Sequence, residues 1–181
     1  MKPESLETPE EYGYKIENGI CLFNRGPLSQ WWGVFPGQYS LFIDDSLTSY
    51  NCCEQFMMVN KALLFNANDI NLDICNQILA EKYPSKQKEL GRQIKNFDQT
   101  VWNECKYKLV FRGNLMKFQQ NAHLGDFLRQ FPIDTIFAEA TPWDRIWGTG
   151  LDISSPFAFD MNNWPGQNLL GKVISKVRQY I

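Results

Sequence analysis

Asn51-Cys52-Cys53-Glu54-Gln55-Phe56-Met57-Met58-Val59-Asn60-Lys61-Ala62-Leu63-Leu64 is the stretch from which the rest of the chain is read. Phe56, Val59 and Leu63 recur at helical spacing and neither Pro nor Gly interrupts the run, so the segment predicts a helix. Asn51 stands where an N-cap belongs, with Glu54 three residues on, an approximate capping box. Glu54 and Lys61 are two helical turns apart, about 10.5 Å along the axis, on nearly one face. Met58 lies between them. An acid and an amine facing one way among Met and Phe have the make-up of a site floor. A capping Glu and a solvent-facing Lys account for the same spacing, and only the rest of the chain separates the two.

The remainder bounds the answer. At 181 residues the chain predicts one domain, able to bury about 70% of its unfolded surface. Its 44% hydrophobic and 21% charged content is that of a soluble globular protein. A formal charge of −2 argues against a broad phosphate-neutralising surface, while leaving room for a local cationic pocket that holds one phosphate. Five cysteines, Cys21, Cys52, Cys53, Cys75 and Cys105, form no Cys-x-x-Cys pair and no closed disulfide framework, which fits a reducing, cytoplasmic setting. One histidine, His123, reads as an exposed helix-end residue and excludes a histidine-centred triad or polyhistidine metal site. No metal and no cofactor is expected. The polar, acidic opening is no signal peptide, and no run approaches membrane-spanning length.

Along the chain, residues 1–14 read as a mobile arm and 15–181 as the domain. Residues 19–23 are a short buried strand, followed by a turn at 24–27 and the polar-aromatic loop Leu28-Ser29-Gln30-Trp31-Trp32-Gly33. Val34-Phe35 and 39–43, alternating around Pro36-Gly37, join 47–50 in a small antiparallel sheet. Residues 68–80 carry Ile70, Ile74 and Ile78 in helical register. They lead to a basic stretch, 83–92, broken by Pro84 and Gly91, with Lys82, Lys86, Lys88, Arg92 and Lys95 in and around it. Such a run is a solvated face unless one or two of its cations reach a ligand phosphate. Residues 98–121 form the longest helix, in which Gly113 permits close packing. A helix over 123–131 and a strand over 135–140 follow, with Glu139 at the strand edge or turned into the site. Pro142-Trp143-Asp144-Arg145-Ile146-Trp147-Gly148-Thr149-Gly150 holds too many Trp and Gly residues for an ordinary connection. Residues 154–165 read as a surface loop. Gly166-Gln167-Asn168 then opens the last helix, with Asn168 as N-cap or its amides and Lys172 as an anion site.

Four blocks stand in register: Gly26-Pro27-Leu28-Ser29-Gln30-Trp31; the Glu54 helix; Trp102 with Met116-Lys117-Phe118; and Glu139…Asp144-x-x-Trp147-Gly148-x-Gly150 ending in Gly166-x-Asn168-x-Leu170-Gly171. Together they resemble the NADAR family of YbiA-like N-glycosidases over about residues 20–181. Where Gln30 stands, members of that family usually carry Asn. The resemblance implies a helix-dominated α+β single domain with a small antiparallel sheet. It also implies hydrolysis of the N-glycosidic bond of a ribosylated or ADP-ribosylated base, of the ADP-ribosyl-guanine or phosphoribosylamino-pyrimidine type, in a nucleotide or in nucleic acid. No membrane and no obligate protein partner is expected.

Such a reaction builds positive charge at the anomeric carbon and negative charge on the leaving base. It therefore needs a carboxylate under the sugar, a proton donor near the base and a flat wall, but no metal. Glu54, Lys61 and Asp144 are the candidate catalytic residues. Ser29, Gln30, Trp102, Lys117, Glu139, Trp147, Gly148 and Asn168 are the candidate substrate contacts. Glu54 lies in a helix's first turn, where the dipole favours its ionised form. Lys61 has two possible roles: an ion pair that holds Glu54, or a neutral amine that attacks the anomeric carbon and forms a Schiff base. Two competing classes use the same residues differently. A non-catalytic ADP-ribose or NAD-binding module would orient a ribose and turn nothing over, and a scaffold presenting aromatic loops would have no nucleotide pocket.

Overall fold

The computed structural model describes residues 11–33 and 41–181. Its strands are β1 (Tyr14–Glu17), β2 (Ile20–Phe23), β3 (Phe42–Ile43), β4 (Ser49–Tyr50) and β5 (Ile136–Glu139). Its helices are α1 (Cys53–Leu64), α2 (Leu72–Ala80), α3 (Pro84–Gly91), α4 (Gln99–Gln120), α5 (Ala122–Arg129) and α6 (Leu169–Arg178). The result is a helix-dominated α+β single domain. The strands predicted around Val34-Phe35 and Pro36-Gly37, and residues 1–10 of the predicted arm, lie outside the described residues. Within the arm, Tyr12 already packs on Phe127, ring centroids 5.2 Å apart, and Tyr14 opens β1.

The sheets are small and mixed. β3 and β4 pair antiparallel, as do β1 and β2, whereas β2 and β5 pair parallel. A parallel pair needs a long crossover, and here the crossover contains α1 to α5. β2 is buried on both faces and shows the two-residue period of a strand. Cys21 and Phe23 face the main core, while Ile20 and Leu22 face a second cluster with Ala138, Ala140 and Ala158. Leu151, Ile153, Phe159 and Trp164 cover that second cluster. The segment read as a surface loop over 154–165 is therefore part of a lid on the sheet, pinned by Trp164 Nε1 donating to Ala158 O at 2.8 Å.

At the centre stands α1, packed by α2, α3 and α4. Phe56 is fully buried, a burial worth about 1.5–3 kcal/mol. A Cβ on Gly113 of α4 would stand 2.7 Å from the Phe56 ring, so only glycine lets α4 approach α1 this closely. The helix start differs from the expectation. Cys52 is the N-cap and no side chain caps it. The Asn51 carboxamide instead donates to the Lys82 carbonyl and accepts from Gln87, while its backbone N–H donates to Gln55 Oε1 at 2.8 Å. Asn51 ties α1 to the α2–α3 connection, which leaves Glu54 free to point elsewhere. The basic stretch expected to be broken is a helix, α3, with Pro84 at its first turn, where a missing N–H costs nothing.

Candidate active site

Four segments meet at a cleft of about 540 Å³, within the range typical of small-molecule sites. The α1 face supplies Glu54, Met57, Met58 and Lys61. The loop after β2 supplies Ser29, Gln30 and Trp31. The end of β5 and the loop after it supply Glu139, Asp144 and Trp147. Lys88 and Arg92 from the α3 region and Trp102 of α4 complete the lining.

Glu54 is 2% exposed. Its Oε2 accepts from the indole N–H of Trp31 at 3.2 Å, and its Oε1 is buried with no hydrogen-bond partner among the described residues. Burial pushes its carboxyl up to about 7, and the neighbouring Asp144 adds to the rise. Lys88, the Trp31 hydrogen bond and Lys61 oppose it. The expectation that the helix dipole keeps Glu54 ionised fails on magnitude. A helix N-terminus offers about 0.3–1 kcal/mol, while desolvating an ion costs several kcal/mol.

Glu139 reaches the cleft by another route. It ends β5, and its backbone N–H donates to Asn168 Oδ1 at 3.0 Å while Asn168 Nδ2 donates to Phe137 O at 2.9 Å. The Asn168 carboxamide thus takes the place of a neighbouring strand along β5. Asn168 holds φ 50°, ψ 45°, a left-handed conformation that Asn tolerates better than most residues. A Cβ on Gly171 would stand 2.1 Å from Phe137 O and 2.4 Å from Asn168 Oδ1, so the clamp also requires that glycine. Burial pushes the Glu139 carboxyl up to about 8, helped by Asp144 and Glu54 and opposed by Lys88. Its Oε2 also lacks a partner among the described residues.

Asp144 Oδ1 accepts from the backbone N–H groups of Ile146 and Trp147, at 2.9 and 2.7 Å, and so shapes its own loop. Lys61 donates to Gly91 O at 2.9 Å and lies 4.4 Å from the Phe97 ring centroid and 5.8 Å from that of Trp102. Burial lowers its pKa, against the pull of Glu54. The ion pairs among the described residues are Lys86–Glu89, Arg112–Asp45 and Arg129–Asp126. Glu54–Lys61 is not one of them, so the role of an ion pair holding Glu54 does not describe this geometry. Lys61 is held by a carbonyl and two aromatic faces.

Of the residues singled out from sequence, Ser29, Gln30, Glu54, Lys61, Trp102, Glu139, Asp144 and Trp147 line the one cleft. Three do not. Lys117 is fully buried and donates to the carbonyls of Pro27 and Ser29 at 2.9 and 3.1 Å, so it anchors the Gln30–Trp31 loop from behind. Gly148 is buried, with its carbonyl bonded to the Asn168 N–H. Asn168 is spent on β5. The anion site expected at the start of α6 is likewise taken up, because the N–H groups of Leu169 and Leu170 donate to Ile146 O and Trp147 O. The cleft is also lined by Arg25 and by Lys88 and Arg92, the last two being two of the five cations of the basic stretch. The spacing of four between those two, after a Pro that opens a helix, was the signal that could have picked them out. No cluster of His, Cys, Asp or Glu among the described residues could hold a metal ion, although three carboxylates line the cleft.

Comparison with known proteins agrees with this architecture. The NADAR domain model matches residues 22–181, and the chain belongs to the NADAR family. It is 38% identical over 166 residues to a protein of Acanthamoeba polyphaga mimivirus named N-glycosidase R617, covering 91% of this chain and 90% of that one. It is 37% identical over 138 residues to Protein irg-1 of Caenorhabditis elegans, covering 75% of this chain and 62% of that one. The fold is similar to the solution structure of E. coli YbiA, with a TM-score of 0.65 at 18% identity, over 92% of this chain and 87% of that one. No helix among the described residues is long and apolar enough to cross a membrane.

Proposed function

We propose that the chain is an N-glycosidase that releases a base from a ribosylated or ADP-ribosylated substrate, with Glu54 and Glu139 as a paired base and acid. The observation that carries this reading is the pairing itself. Two carboxyl groups from distant segments enter one cleft, each largely desolvated and each with one oxygen that no described group satisfies. Glu139, pushed up to about 8, holds its proton at neutral pH and can give it to the departing nitrogen as the C–N bond electrons leave with the base. Glu54, pushed up to about 7, is partly ionised there. Its carboxylate can oppose the charge at the anomeric carbon and take a proton from the attacking water. Trp102 and Trp147 supply flat faces for base or ribose, and Lys88 and Arg92 supply cations for a phosphate. The family membership and the name of the mimivirus relative support the glycosidase class. The base and the ribosyl group are proposals resting on the family resemblance and on this lining.

A covalent variant of the same reaction is favoured by Lys61. Its amine has no acidic partner among the ion pairs described, and burial shifts it towards the neutral form. It can bond to the anomeric carbon as the base leaves with the Glu139 proton, the ring opening to a Schiff base that water then hydrolyses. The test is incubation with a panel of ribosides, phosphoribosylamines and ADP-ribosylated guanosine, followed by mass spectrometry for free base. Release of base by the wild type but not by Glu54→Gln is the expected result. Tight binding of the panel with no base released would leave a ligand-binding module.

A further inference from the structure

Gln30 is a polar side chain that neither the fold nor the chemistry above accounts for. It is 6% exposed and lines the cleft. Its Nε2 meets only the sulfur of Met57, at 3.9 Å, and its Oε1 is buried with no partner among the described residues. The Gln30 carbonyl accepts the Glu54 N–H at 3.1 Å, so residues 30 and 54 abut on the site floor. Lys117 braces the same loop through Ser29 O, beside Gln30, and the Gln30 side chain is itself buried. The floor therefore offers two neighbouring, desolvated acceptors, Gln30 Oε1 and Glu54 Oε1, and each is expensive to bury unless something donates to it.

Neighbouring acceptors on a dry floor call for neighbouring donors. A phosphate brings only acceptors, which two acceptors cannot satisfy, whereas the cations Lys88 and Arg92 of the same cleft suit it. A sugar's hydroxyl groups donate. If Glu54 faces the anomeric carbon, as the proposed reaction requires, the acceptor of the abutting residue can take the hydroxyl on the next carbon. We propose that Gln30 Oε1 accepts the 2-hydroxyl of a ribose, so that the cleft selects ribosyl over 2-deoxyribosyl compounds. The discrimination follows from the acceptor left unpaired when the hydroxyl is missing, and a site built around a substrate hydroxyl rejects the analogue lacking it far more strongly than an apolar pocket rejects a lost methylene.

This inference rests on the proposed reading of the cleft, and its test does not need turnover. Binding of ribose 5-phosphate and of 2-deoxyribose 5-phosphate is measured by titration calorimetry or by chemical-shift titration, for the wild type and for Gln30→Met. Methionine keeps the length of the side chain and removes the acceptor. The wild type is expected to bind the ribose form about 10-fold or more tightly, the scale set by leaving a buried acceptor unpaired. In Gln30→Met the ribose form should lose that advantage, with the deoxy form bound at least as well as by the wild type. Equal binding of the two sugars by the wild type, or a preference that survives in Gln30→Met, would overturn the assignment. Gln30→Leu, a shorter apolar replacement, gives the same comparison should the Met variant fold poorly. If sugar selection appears without base release from any riboside, the glycosidase reading fails while the Gln30 assignment stands. Base release without sugar selection does the reverse.

Discussion

Glu54 and Glu139 reach the same cleft by opposite means. Glu54 is held by neighbours along a helix, and its direction follows from the helix face shared with Met57, Met58 and Lys61. Glu139 ends a four-residue strand, and its position depends on Asn168, 29 residues away in sequence, with Gly171 making room. One carboxylate is aimed by local periodicity and the other by a tertiary clamp. Damage to the Glu54 side should therefore show mainly in the chemistry. Damage behind Glu139 should show in chemistry and stability together.

The largest effect expected is at Glu54 itself. Glu54→Gln keeps size and hydrogen bonding but not charge, and should cut turnover by about 100-fold or more, the usual scale for a positioned base or electrostatic group. Substrate affinity, read by binding to the inactive variant, should change far less, because a ground-state ribose carries no positive charge. Lys61→Arg comes next, with an expected loss of about 100-fold, because a guanidinium keeps the charge but cannot form a Schiff base. Borohydride treatment of the working wild type should attach the sugar to Lys61, seen by peptide mapping. An active Lys61→Arg protein would return the chemistry to water activated by Glu54.

Asn168→Asp tests the clamp. The aspartate can still accept from the Glu139 N–H but sets a second acceptor against Phe137 O, a loss of about 1–3 kcal/mol or more. We expect a fall of about 10-fold in kcat with KM little changed, alongside a lower Tm. An Asn168→Asp protein with wild-type kcat and Tm would show that the strand holds Glu139 unaided.

The pH profile separates the two carboxyl groups. Activity should rise as Glu54 ionises through about pH 7 and fall as Glu139 loses its proton through about pH 8, a narrow bell. In Glu139→Gln the alkaline limb should disappear, because an amide has no proton to lose in that range. Stability should show the smallest effect and the opposite slope. Both groups have folded pKa values above their ordinary 4.5, so from about pH 4.5 to 8 the folded chain binds more protons than the unfolded one, and stability falls as pH rises. At pH 8, Glu54→Gln should melt a few degrees higher than the wild type, since about 1 kcal/mol corresponds to about 2–4 °C for a chain of this size. A lower melting point would mean that ionised Glu54 has a stabilising partner in the folded chain.

What could be read without a structure was whatever repeats along an element. The helices α1 and α4, the strands at Ile20–Phe23 and Ile136–Glu139, and the shared face of Glu54 and Lys61 follow from local sequence, although Leu63, read on the apolar stripe of α1, is exposed. Eight of the candidate site residues chosen from the motif blocks line the cleft. Three things were decided by tertiary contacts. Burial overrode the helix dipole at Glu54, because desolvation depends on what α2, α3 and α4 bring around α1. Asn168 and Lys117 went to backbone groups rather than to the cleft, since a buried carbonyl or N–H must find a partner and those groups lie far away in sequence. Lys88 and Arg92 became cleft residues because α3 packs on α1; their spacing of four put them on one helix face but did not say what that face meets, whereas Lys86 spends its charge on Glu89 at the surface.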